Sequence, residues 1–463
     1  MLCMTCGFSF TNNYSIEKSD HLCFIVTANL SSGKEAMIPI NKPWIEEEER
    51  REVLNVLEEN ALTDASRNGG KRVQDFEAQL RDYLNVKYVI AVNSGTSALH
   101  AALLAVDIKQ DDEVLLPSFT FVATANSVVA SGAKPVFVDI NKSDYTMDIQ
   151  DLKRKITKKS KAIIPVHLYG HPADMDEIID LASKYSIDII EDACQSLGST
   201  YKKKQTGTLG LIGCFSMYAS KVLTSGEGGA VITNHSALAD KLKMIRNHGM
   251  VEGNDTRIFG LNLRLPELSA AIAKVQMKKL TKMLELRRRN AESLTKAFLP
   301  IADRTQLKLP QEDEEKKYNW YLYTVALERN NIRDKIKDKL IKNKIGATVY
   351  YNPPVHKTPY YEKMISPEAN LTNTNWASEH VLSLPVNALI TLPDIERVAD
   401  RFNSAIRESM VQHFIHNSSI CNSKLFITLI FVYVRDANRY WGYYMDAYFN
   451  RSSNAYDSSS RFF

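Results

Sequence analysis

Tyr88-Val89-Ile90-Ala91-Val92-Asn93-Ser94-Gly95-Thr96-Ser97-Ala98-Leu99-His100-Ala101-Ala102-Leu103-Leu104-Ala105 reads as a strand, a tight turn and a helix. The run to Val92 is apolar without alternation, as in a strand buried on both faces. Gly95 permits a tight turn, and Thr96 and Ser97 open an alanine-rich helix. Free N–H groups and hydroxyls at such a helix start suit an anion, above all a phosphate. An ordinary N-cap has the same composition, and on this stretch alone both readings stand. The loop is not a Walker loop, since no Lys-Ser/Thr follows, and no Gly-x-Gly-x-x-Gly follows a strand anywhere in the chain. Both absences count against a nicotinamide or ATP enzyme.

The same alternation continues outward. Short apolar runs recur at Glu113–Leu116, Pro135–Asp139, Ala162–Val166, Asp188–Asp192, Cys214–Ser216 and Ala230–Thr233. Helical patterns such as Ala123–Ser131 and Met175–Lys184 lie between them. Buried strands spaced by helices predict an α/β fold with a mixed, mostly parallel seven-stranded sheet in one large domain. Leu268–Thr295 then reads as one long helix, Trp320–Leu327 as a strand, Arg333–Lys342 as a helix and Asp394–Glu408 as a closing helix. These predict a smaller C-terminal α+β domain. The expected division is 1–36 as an extension outside the fold, 37–280 large domain, 281–408 small domain and 409–463 an atypical Ser-, Asn- and aromatic-rich tail.

Composition sets the outer bounds. The 463 residues carry a formal charge of +4, with 44% apolar and 24% charged residues, which is ordinary globular composition. So small a charge gives no case for nucleic-acid binding. Six cysteines over this length make no disulfide framework, and a reducing cytoplasm is the simpler compartment. Residues 1–36 lack the basic start and apolar core of a signal peptide. The longest apolar stretch, Leu425–Val434, is about half of a membrane span. The expectation is a soluble protein with no membrane partner.

Two further elements carry chemistry. In Ile189-Ile190-Glu191-Asp192-Ala193-Cys194-Gln195-Ser196, Asp192 falls at the C-terminal end of a strand, where open α/β sheets place ligands, a capping aspartate being the competing reading. In Phe215-Ser216-Met217-Tyr218-Ala219-Ser220-Lys221, Lys221 lies between two apolar runs, followed by the glycine-rich Gly226-Glu227-Gly228-Gly229. A lysine sheltered there is a better Schiff-base nucleophile than a solvated one, although a turn lysine facing water is the competing reading. A phosphate cradle, a strand-end carboxylate and a sheltered lysine are together what pyridoxal 5′-phosphate (PLP) requires. An aromatic cover for the ring would be Phe119 or Phe121.

From about Met37 to Glu408 the chain resembles the DegT–DnrJ–StrS family of sugar aminotransferases. The resemblance rests on Ser94 to Leu99, Pro117-Ser118-Phe119-Thr120-Phe121, Val166 to Met175, Glu191 to Gln195, Phe215 to Lys221, Gly226 to Gly229, and Gly260-Leu261-Asn262-Leu263-Arg264. It implies a fold-type I PLP-dependent transferase. By resemblance Lys221 is the Schiff-base lysine and proton shuttle, and Asp192 the partner of the pyridine nitrogen. Gln195 would bond the ring's O3′ oxygen, Phe121 would stack on the ring, and Gly95, Thr96 and Ser216 would hold the phosphate. Asn262 would reach the neighbouring subunit's site, making the unit a homodimer, and Arg264 and His356 would lie toward the substrate. The family's usual Gly-Tyr-Asn-Tyr-Arg has lost both tyrosines here, and Lys221 stands where a dehydratase branch has His.

The implied reaction passes an amino group, from L-glutamate by resemblance, to a nucleotide-linked keto-sugar. Alternatives are an aminotransferase acting on a cyclitol such as scyllo-inosose, and a PLP-binding regulator without turnover. No metal is expected. Cys3-x-x-Cys6 lacks a second pair, Glu46–Glu49 reads as a solvated helix face, and Lys202-Lys203-Lys204 reads as a hairpin tip. His167 and His171 are expected to be non-catalytic.

Overall fold

The computed structural model describes residues 36–328, 332–364 and 370–417, with side chains to 409. Cys3, Cys6 and the 425–434 stretch lie outside the described residues. The chain enters through α1 (Glu47–Glu58) and α2 (Lys71–Leu84). The expected strands follow, each within three residues of its predicted limits. They are β1 (Tyr88–Val92), β2 (Glu113–Pro117), β3 (Lys134–Val138), β4 (Ser160–Ile163) and β5 (Asp188–Asp192). A short hairpin of β6 (Thr200–Tyr201) and β7 (Lys204–Gln205) precedes β8 (Ile212–Ser216) and β9 (Gly229–Thr233). Its tip is the predicted lysine turn, with Lys202 and Lys203 at φ of 47° and 66°.

The helices α3 (Gly95–Ala105), α4 (Val122–Ala130), α5 (Ile149–Lys155) and α6 (Met175–Tyr185) connect the strands. The sheet has seven strands in the order β1-β9-β8-β5-β4-β2-β3, and β9 alone is reversed. Continuous apolar runs explain this, since Ile90–Val92, Val114–Leu116 and Ile190 are all buried. Because six strands run the same way, Val92, Pro117, Asp192 and Ser216 all end on one edge. There β9 begins, with Gly229 paired to both Val92 and Ser216. Small side chains let α3 press on this edge, burying Gly95, Ala98, Ala101, Ala102 and Ala105.

After α7 (Ser236–Arg246), α8 runs from Glu267 to Thr305, longer than predicted. Its buried positions Ala291, Leu294 and Phe298 keep helical spacing past the expected end at Thr295, so packing carries it through Pro300. The expected domain boundary at 280/281 falls inside this helix. Beyond it, β10 (Leu307–Lys308), β12 (Tyr323–Leu327) and β13 (Val381–Leu384) form an antiparallel sheet, while β11 (Lys316–Lys317) joins the β6–β7 hairpin. Trp320, Tyr321 and Leu322 are not strand as expected, because Trp320 sits at φ 53° and breaks the extension. The sheet, α9 (Arg333–Lys342) and α12 (Leu392–Asn417) enclose a core including Phe298, Tyr323, Ile336 and Phe402. Two short helices, α10 (Pro359–Glu362) and α11 (Thr372–His380), lie between them in the chain.

One sequence expectation is overturned. Glu49 is buried rather than solvated, accepting from Gln276 Nε2 at 2.6 Å and pairing with Lys279 at 2.9 Å. Charge clustering could not show that α8 supplies a matching cation.

Candidate active site

The strand edge gathers the motif residues. Asp192, 5% exposed, accepts from Thr124 Oγ1 on Oδ2 at 2.8 Å and from the Cys194 N–H on Oδ1 at 3.2 Å. No Lys, Arg or His among the described residues pairs with it. A buried carboxylate without a cation is costly, so the site is built for a cationic ligand group. Its neighbour Glu191 faces the opposite side of the sheet, as alternation requires. There the carboxylate accepts N–H groups of Gly207, Leu209 and Gly210 at 2.6–2.7 Å. His167 Nδ1 accepts the Ala173 N–H at 3.1 Å, so its Nε2 is the nitrogen that donates to Glu191 at 2.9 Å. That pair is structural.

Lys221 lies in the loop between β8 and β9, half-buried, and its amine makes no hydrogen bond or ion pair among the described residues. Its Nζ sits 4.9 Å from the centroid of the Tyr321 ring. Asp192 is paired with Cys214 in β8, the strand that leads into the Lys221 loop; burial pushes the neighbouring Cys194 thiol well up, so it stays protonated.

The turn after β1 supplies the third component. Ser94 caps α3, accepting the Ser97 N–H at 3.1 Å. The N–H groups of Gly95 and Thr96 have no acceptor among the described residues, so an anion could take both. A Cβ on Gly229 would lie 2.3 Å from Ser94 O, so glycine is required where β9 starts beside this turn. Ser216 is packed on the other side, where its Cβ would be 2.8 Å from a side chain added at Gly95.

Around these lie aromatic and amide groups. Phe119 is buried, whereas Phe121 is 54% exposed with its ring 6.0 Å from Tyr351. Gln195 Oε1 accepts the Tyr169 N–H at 2.9 Å, and its Nε2 donates to Tyr351 Oη at 3.1 Å, leaving its second N–H for a ligand. Burial pushes the Tyr351 hydroxyl well above its ordinary value, so it stays protonated.

The outlying predicted residues are placed differently. Asn262 is exposed, and its carbonyl lies 3.5 Å from Asn93 Nδ2 of the same chain. Arg264 donates to Asn247 Oδ1 at 2.7 Å. His356 is buried with Nδ1 2.7 Å from Ser118 Oγ, and burial pushes its pKa down to about 4. These contacts describe a packed histidine. His171 is stacked on Tyr318 at 4.0 Å and is likewise pushed to about 4 by burial. Sequence reading missed Thr124, Tyr321 and Tyr351. Thr124 follows Phe121 by one helical turn and was locally findable; the tyrosines come from segments with no local signal.

The residues fit PLP. A buried uncompensated carboxylate, an amine without an anion, two open helix-start amides, an exposed aromatic and a spare amide N–H all border one edge. Fold and site together define a fold-type I PLP-dependent aminotransferase. The chain belongs to the DegT/DnrJ/EryC1/StrS aminotransferase family, whose description matches residues 43–403.

It is 36% identical over 341 residues to the UDP-N-acetyl-3-dehydro-alpha-D-glucosamine 3-aminotransferase of Acidithiobacillus ferrooxidans, covering 73% of this chain and 89% of that protein. It is 32% identical over 354 residues to the GDP-perosamine synthase of Escherichia coli O157:H7, covering 75% and 93%. Among solved structures, S. venezuelae DesV in complex with a ketimine intermediate superposes with a TM-score of 0.73 at 33% identity, covering 78% of this chain and 94% of that one. Among the described residues no helix is long and apolar enough to cross a membrane, and no cluster of metal-ligating side chains is present.

Proposed function

We propose that this enzyme transfers an amino group from L-glutamate to a keto-sugar carried on a nucleotide, in the cytoplasm, as a homodimer. The observation that carries the cofactor assignment is a pair of open charges: among the described residues the buried Asp192 carboxylate has no cation and the Lys221 amine has no anion. When bound, PLP supplies a carbonyl that accepts and releases the amino group and a ring that takes up the electron pair freed at Cα.

The chain's own residues do the rest. Lys221 Nζ would be the amine that holds the cofactor and, when free, would move the proton at the substrate carbon as general base and acid. Asp192, its oxygens fixed by Thr124 and Cys194, would keep a proton on the pyridine nitrogen. Gly95 and Thr96 amides with Ser216 bind the phosphate; Phe121 covers the ring face; Gln195 orients the ring edge. Asn262 completes the partner's site across the dimer, Arg264 faces the substrate, and the large and small domains of 37–280 and 281–408 enclose it. His356 acts through packing of its loop on Ser118.

Relatives named for UDP- and GDP-linked sugars support a nucleotide sugar as the acceptor class. The test has two stages. Protein incubated with PLP is expected to show the bound cofactor's absorbance, which L-glutamate bleaches. Lys221→Ala is expected to lower that bleaching by at least roughly 10²–10⁴-fold. The glutamate-treated enzyme is then offered UDP-, GDP- and dTDP-linked keto-sugars and scyllo-inosose. Recovery of the absorbance with the cyclitol alone would replace the nucleotide-sugar reading.

A further inference from the structure

The ring beneath the Lys221 amine is held more firmly than packing requires. Tyr321 is 5% exposed, and its hydroxyl bonds Ser220 Oγ, one residue before Lys221, at 3.0 Å. Its backbone is clamped on both sides. Arg287, buried on α8, donates from one nitrogen to the carbonyls of Trp320 and Tyr321 at 3.1 Å each. The Tyr321 N–H donates to Asn319 Oδ1 at 2.9 Å. The Asn319 amide nitrogen in turn donates to the carbonyls of Gln195 and Leu197 at 2.9 and 3.1 Å, tying this segment to the loop that carries Gln195.

Among the described residues Arg287 pairs with no carboxylate; its other partner is Asn41 Oδ1 at 3.2 Å. Burial accordingly brings its pKa down to about 10. A buried guanidinium matched by neutral acceptors alone is costly, and what it fixes is the path of Trp320 and Tyr321.

We propose that Tyr321 is a positioning residue for Lys221, its ring face holding the free ammonium in place whenever the amine is not bonded to the cofactor. The inference rests on the reading of Lys221 given above and adds what confines it. A lysine side chain is a flexible four-carbon stem with about 2 kcal/mol of rotamer entropy. An aromatic face 4.9 Å from Nζ offers the ammonium an electrostatic seat weaker than the ion pair a carboxylate would make, so it confines the amine without locking it. The amine is therefore kept in the site beside the Tyr321 ring rather than free to sample solvent.

The test compares Tyr321→Phe, which keeps the face and loses the bond to Ser220, with Tyr321→Leu, which removes the face. Reductive methylation with formaldehyde and cyanoborohydride, read at the Lys221 peptide by mass spectrometry, reports the free amine. It is run on the full-length protein with PLP and excess L-glutamate, and again without cofactor. Tyr321→Leu is expected to methylate roughly 2- to 30-fold faster than wild type, the range a cation–π contact spans. Tyr321→Phe is expected to match wild type, and the kcat of Tyr321→Leu is expected to fall with the glutamate KM unchanged.

Equal labelling of wild type and Tyr321→Leu would overturn the proposal, as would Tyr321→Phe behaving like Tyr321→Leu. Unchanged melting of Tyr321→Phe guards against misfolding as the cause. If wild type forms no borohydride-trapped PLP adduct at Lys221, the functional reading fails instead, while the cofactor-free labelling still tests the seat.

Discussion

Asp192 and Glu191 are adjacent carboxylates with opposite fates. Glu191 is saturated by three backbone N–H groups and His167, whereas Asp192 keeps lone pairs open and has no cation among the described residues. What distinguishes them is the side of the sheet each faces. Thr124 is the residue whose removal tests this most directly. A hydrogen bond to a charged group contributes about 1.5–3 kcal/mol, so Thr124→Val is expected to slow glutamate-driven bleaching roughly 10- to 100-fold. PLP should still bind, and the melting temperature should fall by only a few degrees. An unchanged rate would show that Asp192 does not need this donor.

Among the elements, α2 has an unusual beginning. Its N-cap is Gly70, which has no side chain to accept the first N–H groups. Glu267, at the start of α8, does so instead, its oxygens accepting from Arg72 N at 2.8 Å and Val73 N at 3.1 Å. A Cβ at Gly70 would lie 2.5 Å from Glu267 Cδ, which explains the glycine. Glu267→Ala is expected to cost about 2–4 kcal/mol in urea unfolding, and Glu267→Gln less, because two charge-assisted bonds at a helix N-terminus are lost. Gly229→Ala belongs to the same scale. Its methyl would displace β9 from the turn at Ser94, and weakened PLP binding in equilibrium titration is the expected result.

At the scale of the whole molecule, two buried histidines make stability depend on pH. His171 and His356 are held near pKa 4 by burial, below the ordinary 6.5. Between these values the unfolded chain binds more protons than the folded one, so each contributes a loss of stability as pH falls from 6.5 toward 4. Thermal unfolding across that window should show a shallower decline for His171→Asn or His356→Asn than for wild type, and an equal slope would contradict the assignment. The proposed homodimer is checked by sedimentation, where a monomer at working concentration would leave Asn262 no partner site to complete.

The strand-turn-helix at Tyr88–Ala105, the strand-end acid and the lysine before the glycine-rich loop were all legible in sequence. Each is a local pattern in which backbone chemistry and hydrophobic spacing act over a few residues. Strand order, the reversal of β9 and the passage of α8 through Pro300 were not, because long-range packing determines them. The same holds for Glu49, buried by Lys279, and for Tyr321 and Tyr351, carried to the site from 100 or more residues beyond Lys221 and Gln195. Sequence alone singled out the groups proposed here for the chemistry. Tertiary structure decided which of them face each other, since that depends on how separate segments meet.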